Sequence, residues 1–316
     1  MQSINPMYCI ERVNKENLKN LVFLFKAAFN KSISIDFLNK KLNHEISGVK
    51  FLGLLSFTKS HSPAAYYGVL PIVISHNNEK ILTAQSGDTM THSDHQGKGL
   101  FIELASLTYE LAKENKINLV WGFPNKNSYK GFTTKLNWVD NGPLTKFKIK
   151  VGTLPVAKSL TVIKSDAFNM IHHRLCKLVF GSKLKAFIKT EEEGHPFVLK
   201  DQAFFDYKNY IPNRLIIGDE NNKIWAKVEG SLQIGDIHCT SEKEFIKLIN
   251  SLKSKCRLLG ITDIVFICNT INPYYNLFKN LEGVTLEDSL SFCYLPGWND
   301  ELAKSMSICM ADFDTF

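Results

Sequence analysis

The chain has 316 residues, about twice a typical domain of roughly 150, which predicts two domains or one large one. Hydrophobic residues make up 44% and charged residues 22% of the sequence, which excludes a disordered, collagen-like or coiled-coil chain. The net charge of +7 is uneven, because Lys and Arg exceed Asp and Glu by eight in residues 1–150 and fall one short in 151–316. The basic half fits a polyanionic partner, which is a phosphorylated cofactor, a nucleic acid or an anionic membrane.

The seven cysteines are odd in number and form no C-x-x-C pair, so the sequence predicts reduced thiols and neither a disulfide framework nor a metal site. The first residues, MQSINPMYCIERVNKEN, lack the basic and apolar regions of a signal peptide. No uncharged apolar run reaches the roughly 18 residues of a membrane span. We therefore expect a cytoplasmic protein without a membrane partner.

Apolar spacing and turn residues predict the elements of the first half in the order ααβββαβαβ. They are helices 16–29 and 35–42, strands 50–57, 65–75 and 80–90, helix 100–115, strand 117–123, a short helix ending at 135 and strand 144–151. Residues 154–190 are rich in Lys and apolar side chains without a strand pattern, which indicates a helical connector.

The order βββαβαβ then recurs. It comprises strands 214–219, 223–230 and 233–239, helix 242–259, strand 263–269, a short helix after Pro273 and strand 290–295. The segments INLVWGFPN (117–125) and ITDIVFICN (261–269) align by spacing, which indicates an internal duplication. We expect one lobe at 1–153, a connector at 154–200 and a second lobe at 201–316.

The segment GDTMTHSDHQGKGLF (87–101) ends a strand, forms a polar turn and places two glycines directly before a long helix. Glycines at that point let backbone N–H groups converge on an anion at the positive end of the helix dipole, which suits a pyrophosphate. A plain loop with a flexible helix entry is an equally good interpretation of these residues alone. A Walker A loop is excluded because no G-K-[ST] follows, and a meander of strands before the turn disfavours a Rossmann unit.

The string QGKGLF (96–101) resembles motif A of the GNAT acyltransferases, Q/R-x-x-G-x-G/A, and lies on the expected strand-to-helix turn. Together, DTMTHSDHQGKGLF and WGFPNKNSYKGFTTKLNW (121–138) are similar to two-lobed bacterial members that acylate amino sugars, many of them nucleotide-linked. The resemblance covers roughly residues 10–150, and the second lobe only in architecture. It implies an α/β fold with a mixed sheet: a GNAT catalytic lobe followed by a degenerate GNAT-like lobe.

Two positions depart from the family pattern. Phe101 replaces the last glycine of motif A, which implies a bulkier wall beside the phosphates. Thr133 stands where many relatives keep a tyrosine that protonates the departing thiolate, so Tyr129 is the nearest phenol for that role, unless it packs or binds substrate.

The resemblance implies transfer of an acyl group from coenzyme A to a primary amine by direct attack in a ternary complex. Backbone amides of the turn would hold the pyrophosphate, and the strand before it would pair with the pantetheine amides. Asparagine and serine after strand 117–123 suit either pantetheine contacts or a helix cap. The expected coenzyme contacts are Thr89, Met90, Thr91, Gln96, Gly97, Lys98, Gly99, Leu100, Phe101, Asn125, Asn127 and Ser128.

The expected catalytic groups lie on the same strand. The N–H of Met90 would stabilise the tetrahedral oxyanion. Asp88, two residues earlier, would accept the proton of the amine, unless it holds the sugar, orients the amine or caps a turn. His92 and His95 have a suitable intrinsic pKa, although a polar turn more often carries a solvated histidine.

The second lobe has no glycine-rich turn, since HCTSEKEF (238–245) stands in its place, with Ser241 and Glu244 at capping-box spacing. A lobe without a phosphate cradle would shape the acceptor site, where a basic side chain such as Arg214 pairs with a diphosphate and an aromatic ring stacks on a base. Core packing or a solvated surface is the competing interpretation. The acceptor candidates are Gln85, His195, Tyr207, Arg214 and Trp225.

The sequence thus predicts an N-acyltransferase acting on a nucleotide-linked amino-deoxy sugar, such as a dTDP-3-amino-3,6-dideoxyhexose for surface polysaccharide (lipopolysaccharide O-antigen). The acyl group is acetyl or a hydroxyacyl such as 3-hydroxybutanoyl. One alternative is a tandem-lobed transferase that uses aminoacyl-tRNA. A non-catalytic module that binds nucleic acid is disfavoured, because no basic patch with interleaved aromatic residues is present.

Overall fold

The computed structural model describes residues 5–43, 45–46, 48–152, 166–181, 186–190, 192, 194–211 and 213–316. The chain forms two compact units. Unit 1 comprises Met1–Gly142 with Leu290–Ser305, and unit 2 comprises Pro143–Ser289 with Met306–Phe316. Each unit therefore contains a segment from the opposite half of the sequence. The expected division into 1–153, 154–200 and 201–316 has no such exchange of segments.

Unit 1 is a twisted sheet with helices on both faces. Its elements are β1 (Tyr8–Arg12), α1 (Leu18–Phe29), α2 (Ile35–Leu42), β2 (Gly53–Thr58), β3 (Pro63–His76), β4 (Glu79–Thr91), α3 (Leu100–Glu114), β5 (Val120–Gly122), a π-helix (Gly131–Lys135), the start of β6 (Val139–Lys150), the end of β12 (Val284–Tyr294) and α8 (Asp300–Ser305). Strands β1 to β4 pair in antiparallel order, β4 pairs with β5 in parallel, and β5 pairs with the end of β12.

Two apolar clusters cover the two faces of this sheet. Because side chains alternate along a strand, the neighbours Tyr66 and Tyr67 of β3 belong to different clusters. Tyr67 packs with the buried face of α3, whereas Tyr66 packs with the leucines of α1 and α2. Helix α3 thereby follows β4 on one face, while α2 lies against the other.

Unit 2 repeats this arrangement. Its elements are most of β6, α4 (Asp166–Phe180), β7 (Phe197–Val198), α5 (Gln202–Tyr207), β8 (Arg214–Gly218), β9 (Lys223–Glu229), β10 (Ser231–His238), α6 (Glu242–Leu259), β11 (Asp263–Cys268), α7 (Tyr275–Lys279) and the start of β12. Strands β8, β9 and β10 pair in antiparallel order, β10 pairs with β11 in parallel, and β11 pairs with β6. The predicted recurrence of the strand order is confirmed.

Local signals account for α6. Ser241 accepts the N–H of Glu244, as the capping-box spacing predicts, and Gly260 ends the helix in the left-handed conformation. Phe245, Ile249 and Leu252 line its buried face. Among the described residues, no helix combines the length and apolar character needed to cross a membrane.

The structure adds elements that the sequence pattern did not predict. Strand β1 precedes α1, and α8 follows β12. Of the expected helical connector at 154–200, the structure describes α4 and the short strand β7, whereas residues 154–165, 182–185, 191 and 193 lie outside the described residues. Strand β12 begins at Val284, six residues before the predicted strand at 290–295.

Candidate active site

The glycine-rich turn connects β4 to α3 in unit 1. Gly97 has φ +73° and Gly99 has φ +81°, and Gly99 is the N-cap of α3. Left-handed glycines turn successive N–H groups toward one side of the chain. Within the described residues, no protein acceptor is found for the N–H groups from Gly97 to Phe101. This part of the turn therefore presents free donors at the positive end of a 15-residue helix.

An opening lies between β4 and β5 beside this turn. The two strands pair in parallel from Ala84 with Val120 to Ser86 with Gly122. Strand β5 ends at Gly122, whereas β4 continues to Thr91. In the described part of the chain, no strand pairs with β4 on this side beyond Ser86. We call residues 87–91 on this side the open edge of β4.

A β-bulge interrupts β4 at the open edge. Gly87 pairs with Gly68 and Met90 pairs with Tyr66, so Asp88 and Thr89 both lie opposite Tyr67. Asp88 takes the left-handed conformation, with φ +53°. We call Asp88 and Thr89 the β4 bulge. A bulge changes which residues direct their N–H groups to each neighbouring strand, because it inserts one residue into the alternation.

The alternation can be followed on both sides of the β4 bulge. Before it, the N–H of Ala84 donates to Leu119 at 2.9 Å and therefore faces β5. After it, the N–H of His92 donates to Ala64 at 2.9 Å, in register with the pair Met90 and Tyr66. Met90 therefore directs its N–H to β3, and its side chain is buried. The N–H of Thr91, and not that of the expected oxyanion donor Met90, therefore faces the open edge.

The Asp88 carboxylate is paired with a lysine of α2. Lys41 Nζ lies 2.5 Å from Asp88 Oδ2, and only 3% of the lysine side chain and 16% of the aspartate side chain are exposed. Lys41 lies 47 residues before Asp88 in the chain and carries no local signal in the sequence.

The two histidines of the turn contact aromatic side chains. Tyr8 Oη lies 3.0 Å from His95 Nδ1, and burial followed by the charge of Lys98 lowers the pKa of His95. The ring of His92 stacks on Phe23 with centroids 5.9 Å apart. A lowered pKa keeps His95 neutral at physiological pH.

Phe101, at the last position of motif A, packs toward the core. Its ring lies edge-on to Phe132 with centroids 5.4 Å apart and contacts the ring of Tyr67. The aromatic ring of Phe101 thus packs against the apolar cluster under α3. Its backbone N–H belongs to the free donors of the glycine turn.

The polar segment after β5 forms a helix cap. Asn125 Oδ1 accepts the N–H groups of Asn127 at 2.9 Å and Ser128 at 3.2 Å, and Ser128 Oγ accepts the N–H of Asn125 at 3.1 Å. The capping interpretation therefore accounts for the hydrogen bonds of the Asn125 side-chain oxygen and of the Ser128 hydroxyl. Asn127 is exposed.

Tyr129 donates its hydroxyl hydrogen to Asp140 Oδ2 at 2.5 Å. The same carboxylate accepts the Ser291 hydroxyl at 3.2 Å and the N–H of Gly142 at 2.8 Å. The hydrogen bond to Asp140 raises the pKa of Tyr129, because ionising the phenol would remove the donated proton and place two negative charges together. Thr133, at the position of the family tyrosine, donates to the Tyr129 carbonyl at 2.9 Å.

The acceptor candidates belong to both units. Gln85 is buried in β4 of unit 1, opposite Trp121, whereas the other candidates belong to unit 2. His195 is exposed, and Tyr207 is buried between Phe204 and Tyr210.

Arg214 and Trp225 pack on the same ring. Arg214 Nη1 donates to the carbonyl of Phe205 at 3.0 Å, its guanidinium lies 4.5 Å from the Phe205 ring, and burial lowers its pKa. Trp225 is 0% exposed and is enclosed by the rings of Phe187, Phe205 and Phe316. Because no face of the indole is accessible, Trp225 is a packing residue and not a platform for a base.

These features together are those of a GNAT fold: a strand with a bulge, a parallel neighbour that ends early, and a glycine turn into a helix. Residues 10–139 match the family model for the acetyltransferase (GNAT) domain. No curated protein sequence gives a significant match to the chain.

Several solved structures share the fold. A GCN5-related N-acetyltransferase from Kribbella flavida is 10% identical, with a TM-score of 0.60 over 91% of this chain and 70% of that one. A GCN5-related N-acetyltransferase from Anabaena variabilis is 14% identical, with a TM-score of 0.59 over 91% and 72%. The glucosamine N-acetyltransferase region of a fungal multi-domain GH3 β-N-acetylglucosaminidase is 11% identical, with a TM-score of 0.53 over 93% and 39%.

The GNAT domain implies acyl-CoA as the co-substrate and an amine as the acceptor. The free donors of the glycine turn and the open edge of β4 fit the two parts of that co-substrate, its pyrophosphate and its pantetheine arm. Similarity to the solved structures at 10% to 14% identity supports the fold alone.

Proposed function

We propose that this protein is an N-acyltransferase that moves an acyl group from acyl-CoA to the primary amine of a nucleotide-linked amino-deoxy sugar. A dTDP-3-amino-3,6-dideoxyhexose is the representative acceptor, and acetyl or a hydroxyacyl such as 3-hydroxybutanoyl is the donor group. The observation that carries the proposal is the free N–H donors of Gly97–Phe101 beside the open edge of β4.

The glycine turn would hold the pyrophosphate. Two left-handed glycines and the first turn of α3 offer N–H groups and the positive end of the helix dipole, and Lys98 is exposed beside them. The excess of eight positive charges in residues 1–150 favours the phosphates of coenzyme A. The pantetheine arm would add to the open edge of β4 as an extra strand.

Attack by the amine creates negative charge on the thioester oxygen. The N–H of Thr91 faces the open edge and would donate to that oxygen from a backbone that needs little reorganisation. The amine must arrive neutral, because an ammonium has no lone pair, so a side chain or a water chain must accept its proton.

Tyr129 is the phenol proposed to protonate the departing thiolate. Its hydrogen bond to Asp140 raises its pKa above the ordinary value near 10, so the phenol is protonated at neutral pH. The same bond opposes proton transfer to a thiolate, whose conjugate thiol has an ordinary pKa near 8.5. Tyr129 would therefore act only when its hydroxyl turns from Asp140 to the sulfur.

The amino-sugar acceptor is supported by similarity to two-lobed bacterial acyltransferases in the strings 88–101 and 121–138. No described residue of unit 2 assigns the nucleotide, since Trp225 and Tyr207 are buried and Arg214 packs on Phe205.

Two measurements test the proposal. A ligand that binds only the native state stabilises it by about 2.7 kcal/mol at 100 times its Kd, so coenzyme A at millimolar concentration should raise Tm. A thiol-release assay over a panel of acyl-CoAs and amino-sugar nucleotides should then give turnover with one acceptor class. An unchanged Tm would contradict the coenzyme site, and competition by RNA with a steep salt dependence would favour the tRNA-dependent alternative.

A further inference from the structure

Lys41 is a buried lysine whose ion pair reaches the proposed reaction centre. It lies in the last turn of α2, and its ammonium is held by Asp88 at 2.5 Å. A buried ammonium is tolerated only with a charged or hydrogen-bonding partner, and removal of one member leaves the other uncompensated. The pair therefore ties α2 to the β4 bulge.

The β4 bulge decides which N–H faces the thioester. The N–H of Ala84 faces β5, so an uninterrupted strand would also direct that of Met90 to the open edge. With the extra residue, Thr91 takes this position instead. Asp88 carries the unusual conformation of the bulge, φ +53°, and such a conformation in a residue other than glycine persists only where its surroundings hold it.

Unit 2 repeats the sequence around this position. Gln-x-Gly-Asp occurs at 85–88 and again at 233–236. The two glutamines occupy equivalent positions in their sheets, because Gln85 pairs with Trp121 of β5 and Gln233 pairs with Val265 of β11. A bulge follows the last parallel pair in both units.

The aspartate of unit 2 is also held by buried lysines. Asp236 is 0% exposed, with Lys200 at 3.1 Å and Lys189 at 3.3 Å. Unit 2 has no glycine turn, since HCTSEKEF stands there. A lysine–aspartate pair at the bulge thus accompanies the strand geometry even where the phosphate-binding turn is missing.

We propose that Lys41 is a positioning residue that fixes Asp88 and the β4 bulge, and so aims the N–H of Thr91 at the thioester oxygen. On this assignment Asp88 is an anchor and not the general base, because its carboxylate is already engaged by a buried ammonium. The proton of the amine then leaves by another group or by water. The proposal rests on the acyltransferase function proposed above.

The experiment compares Lys41→Met, the double variant Lys41→Met with Asp88→Asn, and the control Lys40→Met. Lys40 is the neighbouring lysine of α2, is largely exposed and pairs with Asp36 on the same helix. The double variant removes both charges, which spares the fold an unpaired buried ion and keeps the test valid where the single variant unfolds.

We expect the double variant to lose kcat by roughly 100-fold, the loss typical of a missing oxyanion donor. The KM for acyl-CoA should change little, because the glycine turn is intact. The acid limb of the pH profile of kcat/KM should stay at its wild-type position. Lys40→Met should behave as wild type throughout.

Two kinetic outcomes would overturn the proposal. Loss of the acid limb in the double variant would mean that Asp88 is the titrating base, since asparagine cannot take up the proton. Full recovery of kcat in the double variant would mean that Lys41 only stabilises the fold.

Amide hydrogen exchange separates this proposal from the function on which it rests. The amides of residues 89–91 should exchange faster in the double variant than in Lys40→Met, whether or not any acceptor turns over. Equal exchange would overturn the positioning role. A wild-type protein without turnover over the whole substrate panel, but with the expected exchange, would count against the proposed function alone.

Discussion

A charge placed at Gly97 tests the phosphate site directly. Gly97 has φ +73°, and a Cβ built on it meets no atom within 4 Å, so a small side chain fits without a clash. Asparagine and aspartate are the residues other than glycine that best tolerate the left-handed conformation. Gly97→Asn and Gly97→Asp therefore share shape and backbone cost and differ only in charge.

The expected difference follows from Coulomb's law. A carboxylate about 5 Å from one negative charge of the pyrophosphate costs about 1 kcal/mol at a dielectric constant of 80 and about 3 kcal/mol at 20. Each 1.4 kcal/mol is a factor of ten in Kd, so Gly97→Asp should bind coenzyme A about 5-fold to about 140-fold more weakly than Gly97→Asn. The difference should shrink in 1 M salt, where the screening length falls to about 3 Å.

Isothermal titration with coenzyme A at low and high salt measures both effects. The control pair is Gly230→Asn and Gly230→Asp, in the turn between β9 and β10, where φ is +70° and the built Cβ also meets nothing within 4 Å. Neither control should change the affinity for coenzyme A. Equal affinities of Gly97→Asn and Gly97→Asp at low salt would refute the assignment of the turn to the phosphates.

Two further predictions concern Tyr129 and Trp225. Asp140→Asn removes the carboxylate that raises the pKa of Tyr129, so that pKa should fall toward 10. The pKa is measured from the phenolate absorbance, after subtraction of the absorbance of a matched variant that carries Tyr129→Phe. An unchanged titration of Tyr129 would contradict the assigned cause. Trp225→Ala should cost about 3–5 kcal/mol in the free energy of unfolding, because the indole is 0% exposed among aromatic rings. Urea unfolding measures that loss, and Trp225→Phe should keep the acceptor KM; a raised KM in a stable Trp225→Phe variant would restore the ligand-binding interpretation.

Local signals in the sequence predicted the parts of the fold that depend on near neighbours. The spacing of apolar residues defined α3, and the capping spacing at Ser241 marked the start of α6. Strand β1 was missed because five residues with two buried side chains give little periodicity, and the strand is held by pairing with β2 more than 40 residues later. Long-range pairing leaves no mark in a short window.

The site was predicted to the extent that it is local. The turn at Gly97 and Gly99 follows from its position between a strand and a helix, whereas the pair of Lys41 with Asp88 and that of Tyr129 with Asp140 depend on tertiary contacts. Met90 was the expected oxyanion donor, but its N–H is directed to β3. The β4 bulge breaks the alternation of N–H directions, and it is defined by the pairing of β4 with β3.

The ends of the equivalent strands β5 and β11 differ between the two units. Asn125 and Asn269 end the equivalent segments 117–125 and 261–269, but their side chains make different hydrogen bonds. Asn125 caps the helix that follows β5, whereas Asn269 donates to the carbonyl of Met306 at 2.7 Å and accepts the N–H of Ile308 at 3.0 Å.

The segment that Asn269 binds lies along the end of β11 in unit 2. Cys309 pairs with Cys268, the last residue of β11, and Asp312 lies 2.8 Å from Lys200, which also pairs with Asp236 of β10. In unit 1, the equivalent strands β4 and β5 separate and leave backbone donors for a ligand. In unit 2, residues 306–312 of the chain bond to the backbone at the end of β11. The buried Lys200 links this segment, through Asp312, to Asp236 at the bulge of β10. The end of β11 is therefore paired with the chain's own backbone, which satisfies its polar groups without a ligand.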